Sequence, residues 1–308
     1  MNARFTVVGS INMDLVAQVD SFPAPGETRT GKGFGTYPGG KGANQAVALA
    51  RLGAKVTMAG KIGDDLFGSS YKETFNREGV DQRILTVESG VSTGVAVIEV
   101  DDEGENHIVI VPGANGLVDR DYIDRNIEAI AASDFVLFQL EIPLDTIEYT
   151  LGLLAKREVT TILDPAPAPS DPLPPELLKN VDLITPNESE AYALTGIKVT
   201  DEKSAAAAGA SLKKQGAGRA IIKAGGAGAY LIEESGVSRV GGFTVDVADT
   251  TAAGDAFNAG LAFALGNDKP MAEAIRYGNA VGALACTALG AQSAMPRIAD
   301  LQSLLRLQ

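Results

Sequence analysis

Six short stretches of this chain set polar or very small residues where a ligand could be handled. In Asp249-Thr250-Thr251-Ala252-Ala253-Gly254-Asp255, the small residues Ala252, Ala253 and Gly254 stand directly before the helical pattern AFNAGLAFAL. Small side chains there leave the first-turn N–H groups open, and the helix dipole adds positive potential, so an anion hole is expected. Asp255 falls in that first turn. It either complements the dipole, worth about 0.3–1 kcal/mol, or works on the bound anion; the run of small residues before it favours the second role.

The second stretch is Gly39-Gly40-Lys41-Gly42-Ala43-Asn44, leading into a helix. Gly35 to Lys41 has the G-x-x-x-x-G-K spacing of a phosphate-binding loop, yet Gly42 occupies the position where that loop needs Ser or Thr for its metal, so that reading is excluded. What remains is exposed backbone flanked by Lys41 and Asn44. It can approach a polar ligand closely, or be a plain tight turn before a helix. Asn187-Glu188-Ser189-Glu190 has the spacing of a capping box. It also offers an Asn–Glu pair near Mg2+ and its waters, because Mg2+ keeps several waters and few protein ligands; one residue can serve both purposes. Asn12 and Asp14 follow the first apolar run, and Glu141 follows FVLFQL. Singly these are loop residues; together they could bind a polyol. Lys223-Ala224-Gly225-Gly226-Ala227-Gly228 is either the floor of a nucleotide site or a glycine turn.

The elements that must hold these residues are legible as alternating patterns. FTVVGS, KVTMAG, FVLFQL, TTILDP, DLITPN and RAIIKAG read as buried strands, and VDVAD as a further strand running into the anion hole. Between several of them lie helical patterns such as ANQAVALARLGA, SSYKETFNREG, RDYIDRNIEAIAAS and DTIEYTLGLLAKR. EAIRYGNAVGALACTALG reads as one long helix of small residues. This alternation predicts an α/β fold with a central, mostly parallel sheet sandwiched by helices, and ligands at the carboxyl ends of its strands. Two stretches break the rhythm. Residues 15–37 are punctuated by glycine and proline, and GVAVIEV-DDEGEN-HIVIVPG reads as a β-hairpin. Both are assigned to a small β-sheet lid, about 15–37 and 94–113, beside a single domain spanning 1–308.

Composition narrows the chemistry. The 308 residues are 45% hydrophobic and 21% charged, ordinary for a globular protein. A net charge of −13 argues against a nucleic-acid partner and means that any anionic ligand must be held by local donors. The single histidine, His107, and single cysteine, Cys286, exclude a His–Cys zinc site and an internal disulfide. The N-terminal residues lack a signal-peptide pattern and no apolar run is long enough to cross a bilayer, so no membrane association and a cytoplasmic setting are expected. No G-x-G-x-x-G occurs, which weakens a dinucleotide-dependent oxidoreductase; a non-catalytic sensor would need a damaged anion hole or Asp255, and both are intact.

Taken in order, GSINMD, GGKGANQAVALARLGA, STGVAVIEVDDEGENHIVIVPGAN, LFQLE, TPNESEA and DTTAAGDAFNAG resemble the ribokinase-like carbohydrate kinase family over almost the whole chain. The resemblance implies a helix-sandwiched sheet with a β-lid that often pairs with the lid of a second subunit, hence a homodimer. It implies ATP-dependent phosphorylation of a sugar, foremost D-ribose at O5, with deoxyribose, fructose, a keto-deoxy sugar or adenosine as alternatives. It makes Asp255 the base, with the backbone of Ala252, Ala253 and Gly254 as the anion hole. Asn12, Asp14, Gly39, Gly40, Lys41, Asn44 and Glu141, together with Asp255, match sugar contacts. Asn187, Lys223, Gly225, Gly226, Ala227, Gly228, Gly254 and Asn279 match the nucleotide side, and Glu190 a water-mediated contact to Mg2+. Asp249, Thr251, Ala285, Ala288, Gly290 and Ala294 match a monovalent-cation loop that binds K+, mostly through carbonyls. Ala252 stands where many members have Gly, and Ala294 where some have a hydroxyl side chain.

Overall fold

A computed structural model describes residues 3–233 and 236–307. The strands are β1 (Arg4–Val8), β2 (Asn12–Gln18), β3 (Gly33–Gly39), β4 (Lys55–Gly63), β5 (Leu85–Glu88), β6 (Gly94–Val100), β7 (Asn106–Val111), β8 (Phe135–Phe138), β9 (Thr160–Leu163), β10 (Leu183–Ile184), β11 (Arg219–Lys223), β12 (Ala229–Glu233) and β13 (Gly236–Val240). The helices are α1 (Lys41–Arg51), α2 (Leu66–Glu78), α3 (Arg120–Ala131), α4 (Leu144–Leu154), α5 (Pro175–Lys179), α6 (Glu188–Thr195), α7 (Glu202–Lys214), α8 (Ala253–Leu265), α9 (Met271–Ala285) and α10 (Ile298–Leu307).

The large sheet has the order β13-β12-β11-β10-β9-β8-β1-β4-β5. It is parallel from β5 to β11, and β12 and β13 turn back antiparallel at one edge. Its strands are apolar on both faces because each face meets helices. Alternation sends Phe5 and Val7 of β1, Leu137 of β8 and Ile221 of β11 into one core with α1, α8 and α9. Val8, Val136, Phe138 and Ile222 point the other way, into a second core with α3, α4 and α7. A separate four-stranded sheet, β3-β2-β6-β7, stands beside it. In it β2 pairs antiparallel with β3 and parallel with β6, and β6 and β7 form the hairpin.

Several local expectations change. VDVAD is not a strand: the N–H groups of Ala248 and Asp249 donate to the carbonyl of Cys286 at 2.8 and 3.2 Å, so this segment hydrogen-bonds to a helix end rather than to a sheet. The long helix stops at Ala285, capped by Cys286, whose carbonyl is the one so engaged. Asn12 and Asp14 belong to β2 rather than to a loop. Lys41 and Gly42 already form the first turn of α1, with Gly40 as N-cap at φ 83°, a backbone conformation that glycine tolerates. A Cβ at Gly40 would also lie 2.5 Å from the backbone nitrogen of Asn12. The expected unit 1–308 includes residues 1, 2, 234, 235 and 308, which lie outside the described residues.

Candidate active site

Helix α8 begins beside the carboxyl ends of β9 and β11, whose Asp164 and Lys223 line the same cavity. Its N-cap, Ala252, has φ 58° and ψ 15° and offers no capping side chain. The N–H of Ala253 reaches the carbonyl of Thr250 at 3.2 Å, and that of Ala256 closes the first helical bond to Ala252 at 2.9 Å. The N–H groups of Gly254 and Asp255 lie between these two and have no intrahelical acceptor. The N–H groups left open at this helix start are therefore those of Gly254 and Asp255, with that of Ala253 taken by Thr250.

The Asp255 carboxylate is buried and fixed from helix α1: Asn44 Nδ2 donates to one oxygen at 2.9 Å and Gln45 Nε2 to the other at 3.2 Å. Burial pushes its pKa up to about 6; Lys41 pulls it down, Asp164 pushes it up, and the two amide bonds lower it. The Lys41 ammonium is opposed by its own burial, but the surrounding carboxylates, Asp255 and Glu141 foremost, outweigh this and raise its pKa. Lys41 is thus a charged lysine between acids.

Around Asp255 the predicted residues fall into two groups. A cavity of about 660 Å3 is lined by Lys41, Asn187, Glu190, Lys223, Gly225, Gly226, Gly228, Ala252, Ala253, Gly254, Asp255 and Asn279. Ala227, in the turn after β11, does not line it. Asn279 Nδ2 donates to the carbonyls of Val240 and Gly241 at 3.1 and 3.0 Å, which fixes the loop after β13. The other group lies on the side of the small sheet. Asn12 Oδ1 accepts from Asn115 at 2.7 Å, and the Lys41 N–H donates to Glu141 at 3.1 Å, which also takes the Ser10 hydroxyl. Asp14 packs over Gly39, where a Cβ would meet its carboxyl at 2.1 Å. Burial, then Glu141 and Asp255, push the Asp14 pKa up to about 7. Asp14, Glu141 and Asp255 therefore share one electrostatic neighbourhood, with Lys41 and Asn44 joining it to the cavity.

The Asn187–Glu190 capping box is complete: Asn187 accepts from the Glu190 N–H at 2.8 Å, and Glu190 accepts from the Asn187 N–H at 2.8 Å. The cation-loop residues are tied together by Asp249, which accepts the Thr251 N–H at 2.9 Å and hydroxyl at 2.6 Å, and the Gly290 N–H at 2.8 Å. Ala285 ends α9, and Ala294 sits in a short turn whose following carbonyl, Met295, accepts from Arg51 at 2.8 Å. Ala288 follows α9 in the same connection.

Sequence reasoning missed Asp164, Gln45 and Phe243. Asp164 follows strand β9 and accepts from Lys223 Nζ at 2.7 Å and Gln45 Nε2 at 3.2 Å. The signal for it was present, an acid at a strand's carboxyl end, as for Glu141. Phe243 lines the cavity near Asn279 and carries no motif.

The model of the pfkB family of carbohydrate kinases matches residues 2–298. The chain belongs to that family. This sugar kinase is 44% identical over 297 residues to a ribokinase of Haemophilus influenzae, covering 96% of each chain. It is 33% identical over 301 residues to a deoxyribokinase of Salmonella typhi, covering 98% of each. Its fold matches that of an Arabidopsis thaliana ribokinase complexed with ribose and ATP, with a TM-score of 0.92, 31% identity and full coverage of both chains.

A pfkB kinase that uses ATP implies a divalent metal such as Mg2+. The donors fit one that keeps its waters: Glu190 is a hard carboxylate lining the cavity, and each of its oxygens accepts a single bond from Asn187, which leaves further acceptor capacity. Burial raises the Glu190 pKa, Lys223 counters it, and a nearby metal would favour the charged form further.

Proposed function

We propose that this sugar kinase transfers the γ-phosphoryl group of ATP to the O5 hydroxyl of D-ribose, giving D-ribose 5-phosphate and ADP, with Asp255 as general base. The observation that carries this reading is the buried Asp255 carboxylate, fixed by Asn44 and Gln45 beside the open N–H groups of its own helix turn. A hydroxyl placed there gives its proton to Asp255 while its oxygen bonds to the γ-phosphorus. The bond from that phosphorus to the β–γ bridging oxygen breaks, and the electron pair leaves with ADP. The N–H groups of Gly254 and Asp255 receive the charge on the transferred group, and Lys41 adds a fixed positive charge.

The acceptor lies against Asn12, Asp14, Gly39, Gly40, Lys41, Asn44 and Glu141. Ring hydroxyls suit this set of acids and amides, whereas a phosphosugar would meet mostly carboxylates. ATP lies along Gly225 to Gly228 towards Asn279. Asn187 and Glu190 would hold Mg2+ through water, and the metal would supply charge neutralisation at the phosphates. K+ would be held by the loop of Asp249, Thr251, Ala285, Ala288, Gly290 and Ala294, mostly through backbone carbonyls. The small sheet closes over the sugar as a lid, and the exposed apolar residues that share one of its faces, Phe34, Val97 and Val109, support a homodimer through that face.

Coupled ADP release measured with ribose, 2-deoxyribose, fructose and adenosine, with and without K+, tests the assignment. The reading expects the highest kcat/KM for ribose and a product whose phosphorus couples to C5. A higher kcat/KM for 2-deoxyribose would move the assignment to the deoxyribokinase activity named for the Salmonella relative.

A further inference from the structure

Two helix starts meet at the site, and their backbone donors are spent differently. At α8 the N–H groups of Gly254 and Asp255 are open. At α1 every donor of the first turn is taken. The Lys41 N–H donates to Glu141 Oε2 at 3.1 Å, the Gly42 N–H to the Ser10 hydroxyl at 3.3 Å and the Ala43 N–H to the Ser10 carbonyl at 2.9 Å. The Asn44 N–H then closes the first helical bond, to Gly40, at 2.8 Å. Gly40, the N-cap, has no side chain to offer, so the closure comes entirely from other segments.

Strand order brings those segments together. β1 and β8 are parallel neighbours, so the residues after their carboxyl ends, Ser10 and Glu141, emerge side by side against the start of α1. Ser10 is fully buried in the connection from β1 to β2. Its hydroxyl accepts from Gly42 and donates its one proton to Glu141 Oε2. Both bonds to Glu141 therefore fall on Oε2, and Oε1 takes none among the described residues. Gly42 permits the close approach: a Cβ there would lie 2.6 Å from the Ser10 nitrogen and 2.8 Å from its carbonyl oxygen.

An open helix start attracts anions, and α1 would add the Lys41 ammonium to its own dipole. Left open, it would rival α8 for a phosphate. A carboxylate lodged on it reverses that preference. Its charge repels a second anion, while its remaining oxygen can accept from the hydroxyl of a neutral polyol. A cap alone would need only a neutral acceptor such as the side chain of Ser or Asn.

We propose that Ser10 is a positioning residue for the acceptor side and that, together with Glu141, it closes the start of α1 to anions, so that phosphate is received at α8 alone. This deepens the proposed function and rests on it. The acceptor side then takes an uncharged sugar because its helix start already holds the chain's own carboxylate.

The full chain tests both halves. Ser10→Ala should raise the KM for ribose about 10-fold, the lower end for losing one hydrogen bond to a charged group, with kcat and ADP affinity within about threefold of the parent. Retained ADP binding certifies the fold. An unchanged KM, even with a lower melting temperature, would reduce Ser10 to a structural cap and overturn its assignment. For the second half, inorganic phosphate is titrated calorimetrically into chain saturated with Mg2+ and the non-hydrolysable analogue AMP-PNP, which occupies the open donors of α8. Glu141→Ala should bind phosphate in a manner abolished by excess ribose, and the parent should not. No ribose-sensitive phosphate binding in the variant, or equal binding in the parent, would overturn the exclusion. Should the parent bind neither AMP-PNP nor ribose, the kinase mechanism falls and this inference with it. Should the parent bind both and phosphorylate ribose while the variants fail these expectations, only this inference falls.

Discussion

Replacing Asp255 by Asn should make the ligand-free protein more stable at pH 8, although it removes the residue most needed for turnover. The reasoning is linkage. Burial raises the Asp255 pKa from its ordinary 3.8 to about 6, so the folded state holds the proton more tightly than the unfolded chain does. The stability this group contributes is fully present below about pH 4 and is lost as the pH rises through about 6. The two values correspond to about 3 kcal/mol of penalty on the ionised carboxylate at pH 8. The group is fully enclosed, so solvent screening takes little from that figure. Asn removes the charge but turns an amide towards one of the two donors, Asn44 Nδ2 or Gln45 Nε2, at a cost of about 1 kcal/mol. Asn44 Oδ1 is buried without a partner, so a flip of that amide can supply the missing acceptor. The net expectation is a gain of about 2 kcal/mol at pH 8, falling to nothing or a small loss near pH 4.5. Urea unfolding of both proteins across that range measures it. An Asn variant less stable than the parent at pH 8, with no pH dependence in the difference, would refute the claim that the carboxylate is held ionised against its burial.

The same residue sets a kinetic signature: kcat/KM for sugar phosphorylation should fall about tenfold per pH unit below about 6, and an inflection near 4 instead would contradict the buried base. Gly42→Ala should destabilise by about 1–3 kcal/mol in thermal unfolding, because a Cβ there would lie 2.6 Å from the Ser10 backbone nitrogen and 2.7 Å from the Gly9 carbonyl carbon. Asn187→Ala should cost about 1 kcal/mol from the lost cap. It should also raise the Mg2+ concentration needed for half-maximal activity; a change in stability alone would limit Asn187 to capping.

The sheet was legible because its strands are buried on both faces, so FTVV, FVLF and RAIIK read as apolar runs wherever they stand. VDVAD shows where that reading stops. Its alternation is strand-like, but its N–H groups are taken by Cys286 at the end of α9, a partner no local pattern reveals. Asn12 and Asp14 looked like loop residues because the chain passes from the large sheet to the small one within a few residues, leaving no turn signal between β1 and β2. At the site, GGKGAN and TTAAGD were visible because glycine and alanine mark exposed backbone. Asp164 carried only the signal of an acid after a strand; its partner Lys223 is 59 residues away, and only the sheet order, with β10 alone between β9 and β11, brings them together. Gln45 lay inside a recognised motif, but an uncharged amide becomes meaningful only once Asp164 and Asp255 are seen on either side of it.

The central claim is that Asp255 removes the proton of the acceptor hydroxyl. The most direct test is the turnover of Asp255→Asn with saturating ATP and ribose, measured beside its ADP affinity. A loss of at least about 10²–10⁴-fold in kcat with ADP binding within about threefold of the parent is the predicted result. Near-parental turnover, with the nucleotide still bound, would contradict it.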